Sequence, residues 1–199
     1  MNTHVHDHEH SAQVSQRVKT LIARLEHSGL TTEQHLDDLV QEFLANARPE
    51  NGYRIVARAW IDPEYKHRLL GDANAAVEEL GVDLSHWAPV RLRVVENSDS
   101  VHNLIVCTLC SCYPIALLGP SPSWYKSEQY RARAVSEPRA VLHEFGFDLP
   151  DDTRIVVWDS TAEARYMVLP QRPAGSDGLS ESELAALVTR NGLIGTAAV

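Results

Sequence analysis

The sequence predicts an α+β fold, because segments with helical spacing of apolar residues are mixed with short apolar strands. These segments do not alternate in the regular pattern of a parallel α/β protein. The chain has 199 residues, without an internal repeat or a low-complexity linker, and this length suits one domain with a helical arm. We therefore predict a disordered, His-rich tail over residues 1–12, a helical arm over 13–50 and a folded domain over 51–199.

The predicted tail is polar and carries alternating histidines at His4, His6, His8 and His10. Chain termini are usually disordered unless they are tied down, so we expect disorder here. Alternating histidines can also bind metal, and delivery of cobalt or nickel is the alternative role for this segment.

Two helices are predicted in the arm. Apolar residues recur at helical spacing from Val14 to Leu25, and Gly29 ends this first helix. Thr31-Thr32-Glu33 offers an N-cap for a second helix, whose apolar face extends over residues 36–44. Such a helix pair packs weakly on its own domain, so we expect a partner chain to cover it.

The elements of the domain are predicted from local signals: proline where a helix starts or breaks, glycine where it ends, and alternating or continuous apolar residues in strands. The first elements are helices over 54–60, from Asp62-Pro63, and over 72–80 with Gly81 as C-cap, followed by strands over 90–95 and 104–106. A helix over 128–144, interrupted at Glu137-Pro138, precedes strands over 154–158 and 165–169. The final helix begins with a capping box at Ser180–Glu183 and runs through Thr189.

The composition argues against several classes of partner and location. With 18 basic and 27 acidic residues, the formal net charge of −9 argues against nucleic acid or an anionic membrane surface as partner. No apolar run approaches the roughly 20 residues that span a bilayer, and the N-terminus lacks an apolar signal region. We therefore expect a cytoplasmic protein, in which reduced thiols can meet a metal before they form disulfides.

The most informative feature is a cluster of cysteines. Cys107, Cys110 and Cys112 are the only three cysteines of the chain, and they directly follow the apolar run 104–106. They are too close along the chain to join distant segments, and clustered thiolates repel one another unless a cation holds them. This pattern predicts a transition-metal site in which one loop supplies three sulfur ligands.

The remaining ligands of such a site have several possible sources. A single C-x2-C-x-C pattern lacks the second ligand pair of a structural zinc site and the fourth cysteine of an iron–sulfur cluster. The nearest imidazole, His102, is predicted to pack rather than to ligate. The amide nitrogens of Ser111 and Cys112 are the closest groups that could complete a square around a trivalent metal, and the spacing allows this geometry without requiring it.

Several segments strongly resemble the nitrile hydratase α subunit, and together they extend over roughly residues 15–196. The metal loop reads VCTLCSCY, and Thr108 resembles the cobalt branch of the family, since the iron branch usually has serine there. The other resembling segments are ARAW (57–60), WYKS (124–127), YRAR (130–133), VWDS (157–160), RYMVLPQRPAG (165–175) and LIG (193–195).

The resemblance implies a layered α-β-β-α domain and specific ligand roles. Cys107, Cys110 and Cys112 would supply sulfur ligands, and Ser111 and Cys112 amide nitrogens, to low-spin Co(III), with Fe(III) as the alternative. Cys107 would remain a thiolate, while Cys110 becomes a sulfinate and Cys112 a sulfenate. The metal would act as a Lewis acid toward the nitrile, and water or the Cys112 sulfenate oxygen would add to the nitrile carbon to give an amide. The Ser111 hydroxyl is expected to hold the oxidised sulfurs or the bound water.

The resemblance also implies partners. In the family, the helical arm extends onto a β subunit, and arginines of that subunit bind the oxygens of the oxidised cysteines. This chain has no obvious arginine beside the cysteines in sequence, so we expect an α–β complex that acts on a small-molecule nitrile. A separate activator protein is expected to assist cobalt loading. For Asp159 and Arg165, which stand in resembling segments, we expect either a structural ion pair or a role near the metal or the subunit interface.

Two features depart from the family. Ile115 and Ala116 stand where a tryptophan and a proline usually follow the cysteine loop, and that tryptophan lines the substrate pocket. Smaller side chains free volume for an aromatic or heterocyclic nitrile, unless another residue fills the space. Ala88 stands where iron-type members carry a glutamine, so we do not transfer the hydrogen-bonding role of that glutamine to this chain.

Two other functions compete with this interpretation. The metal-bearing subunit of thiocyanate hydrolase shares the cysteine loop and the WY and YRAR segments, whereas the WDS and MVLPQRPAG segments favour nitrile hydratase. The alternative without catalysis is a metal carrier that uses the cysteines and the histidine tail. A carrier would keep its cysteines unmodified and bind several metals interchangeably.

Overall fold

The structure, a computed structural model, describes residues 3–84, 90–110 and 112–199, with side chains from residue 12 onward. The chain divides into two compact units, Met1–Asn46 and Ala47–Val199. In the described ranges, no helix combines the length and the apolarity needed to cross a membrane.

The first unit contains the two helices predicted for the arm, α1 (Thr3–His27) and α2 (Glu33–Asn46). Gly29 follows α1 in the left-handed region with φ +69°, and Thr32 caps α2 by accepting a hydrogen bond from the His35 N–H at 3.1 Å. Apolar side chains of both helices are exposed in this single chain, as in Val18 (49%) and Val40 (53%).

The segment predicted to be a tail belongs largely to α1. No proline or glycine interrupts residues 3–27, so the helix extends toward the N-terminus through most of the segment for which the sequence predicts disorder. The side chains of the four tail histidines lie outside the described residues. Their role in metal delivery and the boundaries at residues 12 and 50 stay predictions.

The second unit begins with three consecutive helices, α3 (Pro49–Ile61), α4 (Pro63–Gly71) and α5 (Ala73–Glu78). Aspartates separate these helices and cap them. The Asp62 carboxylate accepts a hydrogen bond from the Tyr65 N–H, and that of Asp72 accepts one from the Ala75 N–H. Because each cap satisfies an otherwise free donor of the next helix, the chain turns sharply between helices without losing regular structure.

Strands of the second unit form two small parallel sheets. They are β1 (Arg91–Glu96), β2 (Val101–Val106), β3 (Arg154–Asp159) and β4 (Ala164–Leu169). β1 pairs with β4, and β2 pairs with β3 so that Val106 lies opposite Asp159. Parallel partners end at the same edge, so residues distant in sequence meet where β2 and β3 end. Helices combined with these sheets make the fold α+β, as the sequence predicts.

The remaining described elements are α6 (Ile115–Leu118), a 3₁₀ turn (Ser123–Lys126), α7 (Glu128–Ser136), α8 (Pro138–Glu144), α9 (Glu181–Leu187) and α10 (Arg190–Ile194). The predicted break at Pro138 separates α7 from α8, and the capping box at Ser180 begins α9. α9 ends before Thr189, which instead caps α10 by accepting a hydrogen bond from the Gly192 N–H. Neither α6 nor α10 is predicted from the sequence, because helices of four and five residues carry no periodic signal.

Strand β2 lies in the core and leads to the cysteines. Every residue from His102 to Val106 is buried, so the apolar run 104–106 is the buried strand that the sequence predicts. Close packing on both faces leaves such a strand little freedom. The loop that follows β2 therefore starts from a fixed point.

A buried polar network holds the middle of β2. The Asn103 N–H donates to Asn97 Oδ1 at 2.8 Å, and Trp158 Nε1 donates to Asn103 Oδ1 at 2.8 Å. Because Asn97 Oδ1 accepts from Asn103, the side-chain atom of Asn97 that faces His102 is Nδ2, which donates to His102 Nδ1 at 3.2 Å. His102 Nε2 in turn donates to the Gly195 carbonyl at 2.7 Å. Burial lowers the pKa of His102, in line with the neutral imidazole that these contacts require. His102 therefore packs in this network, as predicted.

Gly195 comes so close to β2 that no side chain fits. An ideal Cβ on Gly195 would lie 2.0 Å from the carbonyl oxygen of Asn103, and the residue has φ +91°. Both the space and the backbone conformation therefore require glycine. The glycine of the LIG segment is therefore required because its backbone packs directly against the backbone of β2.

Candidate metal centre

The three cysteines lie on the loop that leaves β2 at its carboxyl end. Cys107 is buried, Cys110 is exposed and Cys112 is half-buried, and none of the three forms a disulfide. The Sγ atoms of Cys107 and Cys110 are 3.4 Å apart, and those of Cys110 and Cys112 are 3.1 Å apart. Since all three sulfurs lie within 4.8 Å of one another, the structure brings together the predicted sulfur ligands.

The spacing of the sulfurs fits one metal ion. Two thiolates bound at right angles and at about 2.3 Å would have sulfurs about 3.3 Å apart, whereas tetrahedral ligands would be about 3.8 Å apart. The separations of 3.4 and 3.1 Å are closer to the right-angle value. A loop with three soft sulfur donors in this arrangement suits a transition metal with right-angle ligand positions.

Two positions of the predicted site lie outside the described residues. The hydroxyl and amide nitrogen of Ser111 are among them, so the metal-binding and catalytic roles expected for Ser111 stay predictions. Ala88, to which no role is transferred, is the other. The loop is otherwise compact, since the Cys110 N–H donates to Cys107 Sγ at 3.4 Å.

Asp159, at the end of β3, holds the first residue inside the cysteine loop. The Thr108 N–H donates to Asp159 Oδ1 at 2.9 Å, and the Thr108 hydroxyl donates to Asp159 Oδ2 at 2.5 Å. The parallel register, which places Asp159 opposite Val106, brings the carboxylate to this position. Of the roles expected for Asp159, the structure thus favours one beside the metal loop over an ion pair with Arg165.

A contact that the sequence does not reveal comes from α7. Arg131 Nη1 donates to the carbonyl oxygens of Thr108 and Cys110, both at 3.3 Å. The side chain is half-buried, and its Nε is enclosed without a hydrogen-bond partner within the described ranges. No arginine stands beside the cysteines in sequence, but α7 brings one to the loop in space. The YRAR resemblance was the available signal, although it did not point to this contact.

Aromatic residues pack behind the loop. Tyr125 is fully buried, and its hydroxyl donates to the Cys112 carbonyl at 3.0 Å. Tyr130 donates to the Ile105 carbonyl at 2.6 Å, and the Trp124 ring packs edge-to-face on Tyr130 at 4.9 Å between centroids. Trp124 and Tyr125 are therefore packing aromatics, as predicted, and Tyr125 also holds the point where the chain leaves the loop.

The electrostatics of the loop keep the Cys112 thiol protonated in the absence of a cation. Burial raises the pKa of the Cys112 thiol, and the hydrogen bond with Cys110 raises it further. The Arg165 guanidinium acts in the opposite direction, from a position where it donates to the Thr161 carbonyl. Forming the Cys112 thiolate is therefore unfavourable until a metal compensates its charge.

A cavity of about 160 Å³ lies beside the exit of the loop. Among the described residues, its wall is mostly apolar and has Arg165 as its charged member. These lining residues are Leu84, Val90, Leu92, Tyr113, Pro114, Ile115, Ala116, Leu117 and Arg165. The two positions at which the sequence departs from the family, Ile115 and Ala116, are both in this wall. An engineered apolar cavity of about 150 Å³ binds benzene, so the space is large enough for one aromatic ring.

Comparison with known proteins places the chain in a family. The family model for the nitrile hydratase alpha chain matches residues 12–197. The alpha subunit of the low-molecular weight cobalt-containing nitrile hydratase of Rhodococcus rhodochrous is 49% identical over 183 residues, which cover 92% of this chain and 87% of that protein. The cobalt-containing alpha subunit of Pseudonocardia thermophila is 47% identical, with 95% and 92% covered. Thiocyanate hydrolase subunit gamma of Thiobacillus thioparus is 43% identical, with 79% and 68% covered.

Solved structures of nitrile hydratase and thiocyanate hydrolase have a similar fold. A double mutant of the Fe-type nitrile hydratase from Comamonas testosteroni Ni1 has a TM-score of 0.87 and 43% identity, covering 94% of this chain and 90% of that chain. Recombinant thiocyanate hydrolase with partially modified cobalt centres has a TM-score of 0.85 and 39% identity, covering 94% and 88%. The predicted fold is thereby confirmed. On its sequence, its fold and its cluster of cysteines able to bind metal, the chain belongs to the nitrile hydratase α-subunit family.

Proposed function

We propose that this chain is the metal-bearing α subunit of a nitrile hydratase that converts a nitrile to its amide at a low-spin Co(III) centre. The observation that carries this proposal is the group of three sulfurs, 3.4 and 3.1 Å apart, on one loop. Thr108 and the cobalt-containing relatives support cobalt, while the Fe-type structure of similar fold keeps Fe(III) as the alternative.

Each cysteine has a separate role in the proposed centre. Cys107, Cys110 and Cys112 hold the metal through sulfur, and Ser111 and Cys112 hold it through amide nitrogens. By resemblance to the family, Cys107 remains a thiolate while an oxidant such as dioxygen converts Cys110 to a sulfinate and Cys112 to a sulfenate, and the burial of Cys107 and the exposure of Cys110 support this assignment. When bound, the metal supplies the Lewis acidity that activates a nitrile.

Two residues are proposed to act on the reacting atoms. A water molecule attacks the nitrile carbon, or the Cys112 sulfenate oxygen attacks it first and a water then cleaves the sulfur–oxygen bond and restores the sulfenate with its own oxygen, so that the net reaction adds one water across the carbon–nitrogen triple bond. The Ser111 hydroxyl orients the oxidised sulfurs or the attacking water by hydrogen bonding. The hydration leaves the overall oxidation state of the substrate unchanged.

An aromatic or heterocyclic nitrile is the proposed substrate. Ile115 and Ala116 line an apolar cavity of about 160 Å³ beside the loop, and the positions lack the bulky indole that family members usually carry. An apolar cavity that can take one ring favours benzonitrile over acetonitrile, because the ring transfers from water to an apolar surface.

A β subunit is proposed to complete the site. Leu109, at the tip of the loop, is 86% exposed, which is unusual for an apolar side chain between metal ligands. The exposed apolar faces of α1 and α2 provide a separate surface for the same partner. Arginines of the β subunit would bind the anionic sulfur oxygens. An activator protein would load the cobalt, and the cytoplasm would keep the thiols reduced until then.

Thiocyanate hydrolase remains the second candidate function, because a gamma subunit of that enzyme is 43% identical over 166 residues. The mostly apolar cavity supports a nitrile over the small thiocyanate anion. A metal carrier without catalysis is the third candidate, and the proposed oxidation of Cys110 and Cys112 would have no purpose in it.

These candidates can be separated in one preparation. The α chain is co-expressed with its β subunit and activator in cobalt medium, and the segment 107–112 is analysed by metal analysis and mass spectrometry. We expect one cobalt per chain, three added oxygens and faster turnover of benzonitrile than of acetonitrile or thiocyanate. Preferred turnover of thiocyanate would favour the second candidate, whereas zinc, plain thiols and no amide would favour the carrier.

A further inference from the structure

We propose that Arg131 is a positioning residue that retains the metal by neutralising charge on the backbone of the cysteine loop. The proposal depends on the proposed function, because it assumes that the Ser111 nitrogen is a metal ligand. It assigns to this chain a cationic contact at its own loop, in addition to any arginine that a partner subunit supplies.

The geometry places Arg131 on the relevant peptide. Arg131 Nη1 donates to the carbonyl oxygen of Cys110 at 3.3 Å, and this carbonyl belongs to the same peptide unit as the Ser111 nitrogen. The same Nη1 also donates to the Thr108 carbonyl at 3.3 Å. One nitrogen thus bridges two carbonyl oxygens of the loop, and the side chain that carries it belongs to α7.

Peptide resonance makes this contact chemically significant. The nitrogen and oxygen of one peptide share electron density, so charge donated by a metal-bound Ser111 nitrogen appears partly on the Cys110 oxygen. A hydrogen bond from a permanently charged guanidinium to that oxygen is strongest when the oxygen is most negative. Arg131 therefore stabilises the loop more when the metal is bound than when it is absent.

A second charged residue contacts the same segment. Asp159 accepts hydrogen bonds from Thr108, while Arg131 donates to the Thr108 carbonyl. The Asp159 carboxylate accepts from N–H and O–H donors, and the Arg131 guanidinium donates to carbonyl oxygens, so the charge of each side chain suits the groups that it contacts. Of the two, only Arg131 contacts a peptide that contains a proposed ligand nitrogen.

The chain offers a matched control on the same helix. Arg133 also belongs to α7, but it forms ion pairs with Glu137 at 3.3 Å and Glu144 at 2.7 Å. Arg131→Gln and Arg133→Gln make the same chemical change two residues apart. Arg131→Lys keeps a positive charge that can reach the loop but lacks the guanidinium fork.

The test measures cobalt retention in the α–β complex that is matured with its activator. Cobalt release into excess chelator is followed by metal analysis, and the thermal unfolding of the metal-free α chain is compared across variants. We expect release about tenfold faster in Arg131→Gln, equivalent to the loss of a charge-assisted hydrogen bond, with an intermediate rate in Arg131→Lys. Arg133→Gln should behave like the wild type, and the loss of metal-free stability in Arg131→Gln should be smaller than the loss of cobalt retention.

Either of two results would overturn the proposal. One is wild-type release in Arg131→Gln, and the other is equal loss in Arg131→Gln and Arg131→Lys with a matching drop in metal-free stability, which marks a purely structural residue. If the wild type takes up cobalt but hydrates no nitrile, the hydratase proposal alone fails. The release rates then still decide the role of Arg131.

Discussion

Asp159 offers the most direct test of how the cysteine loop is held for a metal. Its carboxylate accepts from the Thr108 N–H at 2.9 Å and from the Thr108 hydroxyl at 2.5 Å. Asp159→Asn keeps an acceptor for the N–H but loses the negative charge and the second acceptor. Asp159→Ala loses both hydrogen bonds, so the two variants should form a graded series.

The expected magnitude follows from these two bonds. A net hydrogen bond contributes about 0.5–1.5 kcal/mol when neutral and about 1.5–3 kcal/mol when one partner is charged. Asp159 is exposed, and water partly replaces what is lost, so the lower values apply. Because both bonds also form without metal, only the part of their energy that grows on metal binding changes the affinity, so we expect at most about 1 kcal/mol for Asp159→Asn and about 2 kcal/mol for Asp159→Ala, or up to roughly fivefold and thirtyfold weaker cobalt binding.

The assay is an equilibrium competition for Co(II) between the metal-free α chain and a chelator of known affinity, because low-spin Co(III) exchanges too slowly to equilibrate, and Thr108 variants serve as controls. Thr108→Ser keeps both bonds and should match the wild type, whereas Thr108→Val loses only the hydroxyl bond. Combining Thr108→Val with Asp159→Ala should cost no more than Asp159→Ala alone, because the lost bonds are shared. Fully additive losses in the double variant, or unchanged cobalt affinity in Asp159→Ala, would refute the reasoning.

Three further predictions concern the strand behind the loop and the cavity beside it. Gly195→Ala should prevent accumulation of folded protein, because its Cβ would lie 2.0 Å from the Asn103 oxygen, and expression with circular dichroism checks this. Burial lowers the pKa of His102, so the stability from its neutral form is present above the ordinary pKa of 6.5 and is lost as pH falls through the lowered value. The unfolding midpoint should therefore fall on acidification below about pH 6.5, with a smaller fall in His102→Gln. Ile115→Trp should fill the cavity and lower kcat/KM for benzonitrile by about tenfold or more relative to acetonitrile, and equal effects on both nitriles would contradict the assigned cavity.

Local signals explain which parts of the site can be predicted from the sequence. The cysteines lie within six residues of one another, so their spacing alone predicts that three sulfurs can reach one ion. The break at Pro138 and the capping box at Ser180 are equally local, and both are present in the structure. In each case the residues that determine the geometry are neighbours along the chain.

The contacts that hold the loop have no such local signal. Asp159 is 51 residues from Thr108, and it reaches the loop only because β3 pairs in parallel with β2. Arg131 reaches the same loop through the packing of α7, and neither its charge nor its spacing distinguishes it from Arg133. Strand patterns in the sequence indicate where strands lie but not which strands pair, so both contacts emerge only from the tertiary fold.

The register of Val106 opposite Asp159 has a consequence for the order of events during synthesis. The ribosome makes the three thiols before it makes β3, and the residue that holds Thr108 follows 51 positions later. At roughly 5–20 residues per second, the cysteines exist for about 3–10 s without their holding strand. Cobalt insertion into the finished geometry is thus expected after translation has passed residue 159, and a ribosome stalled before that point should carry a chain whose thiols react like those of an unfolded peptide.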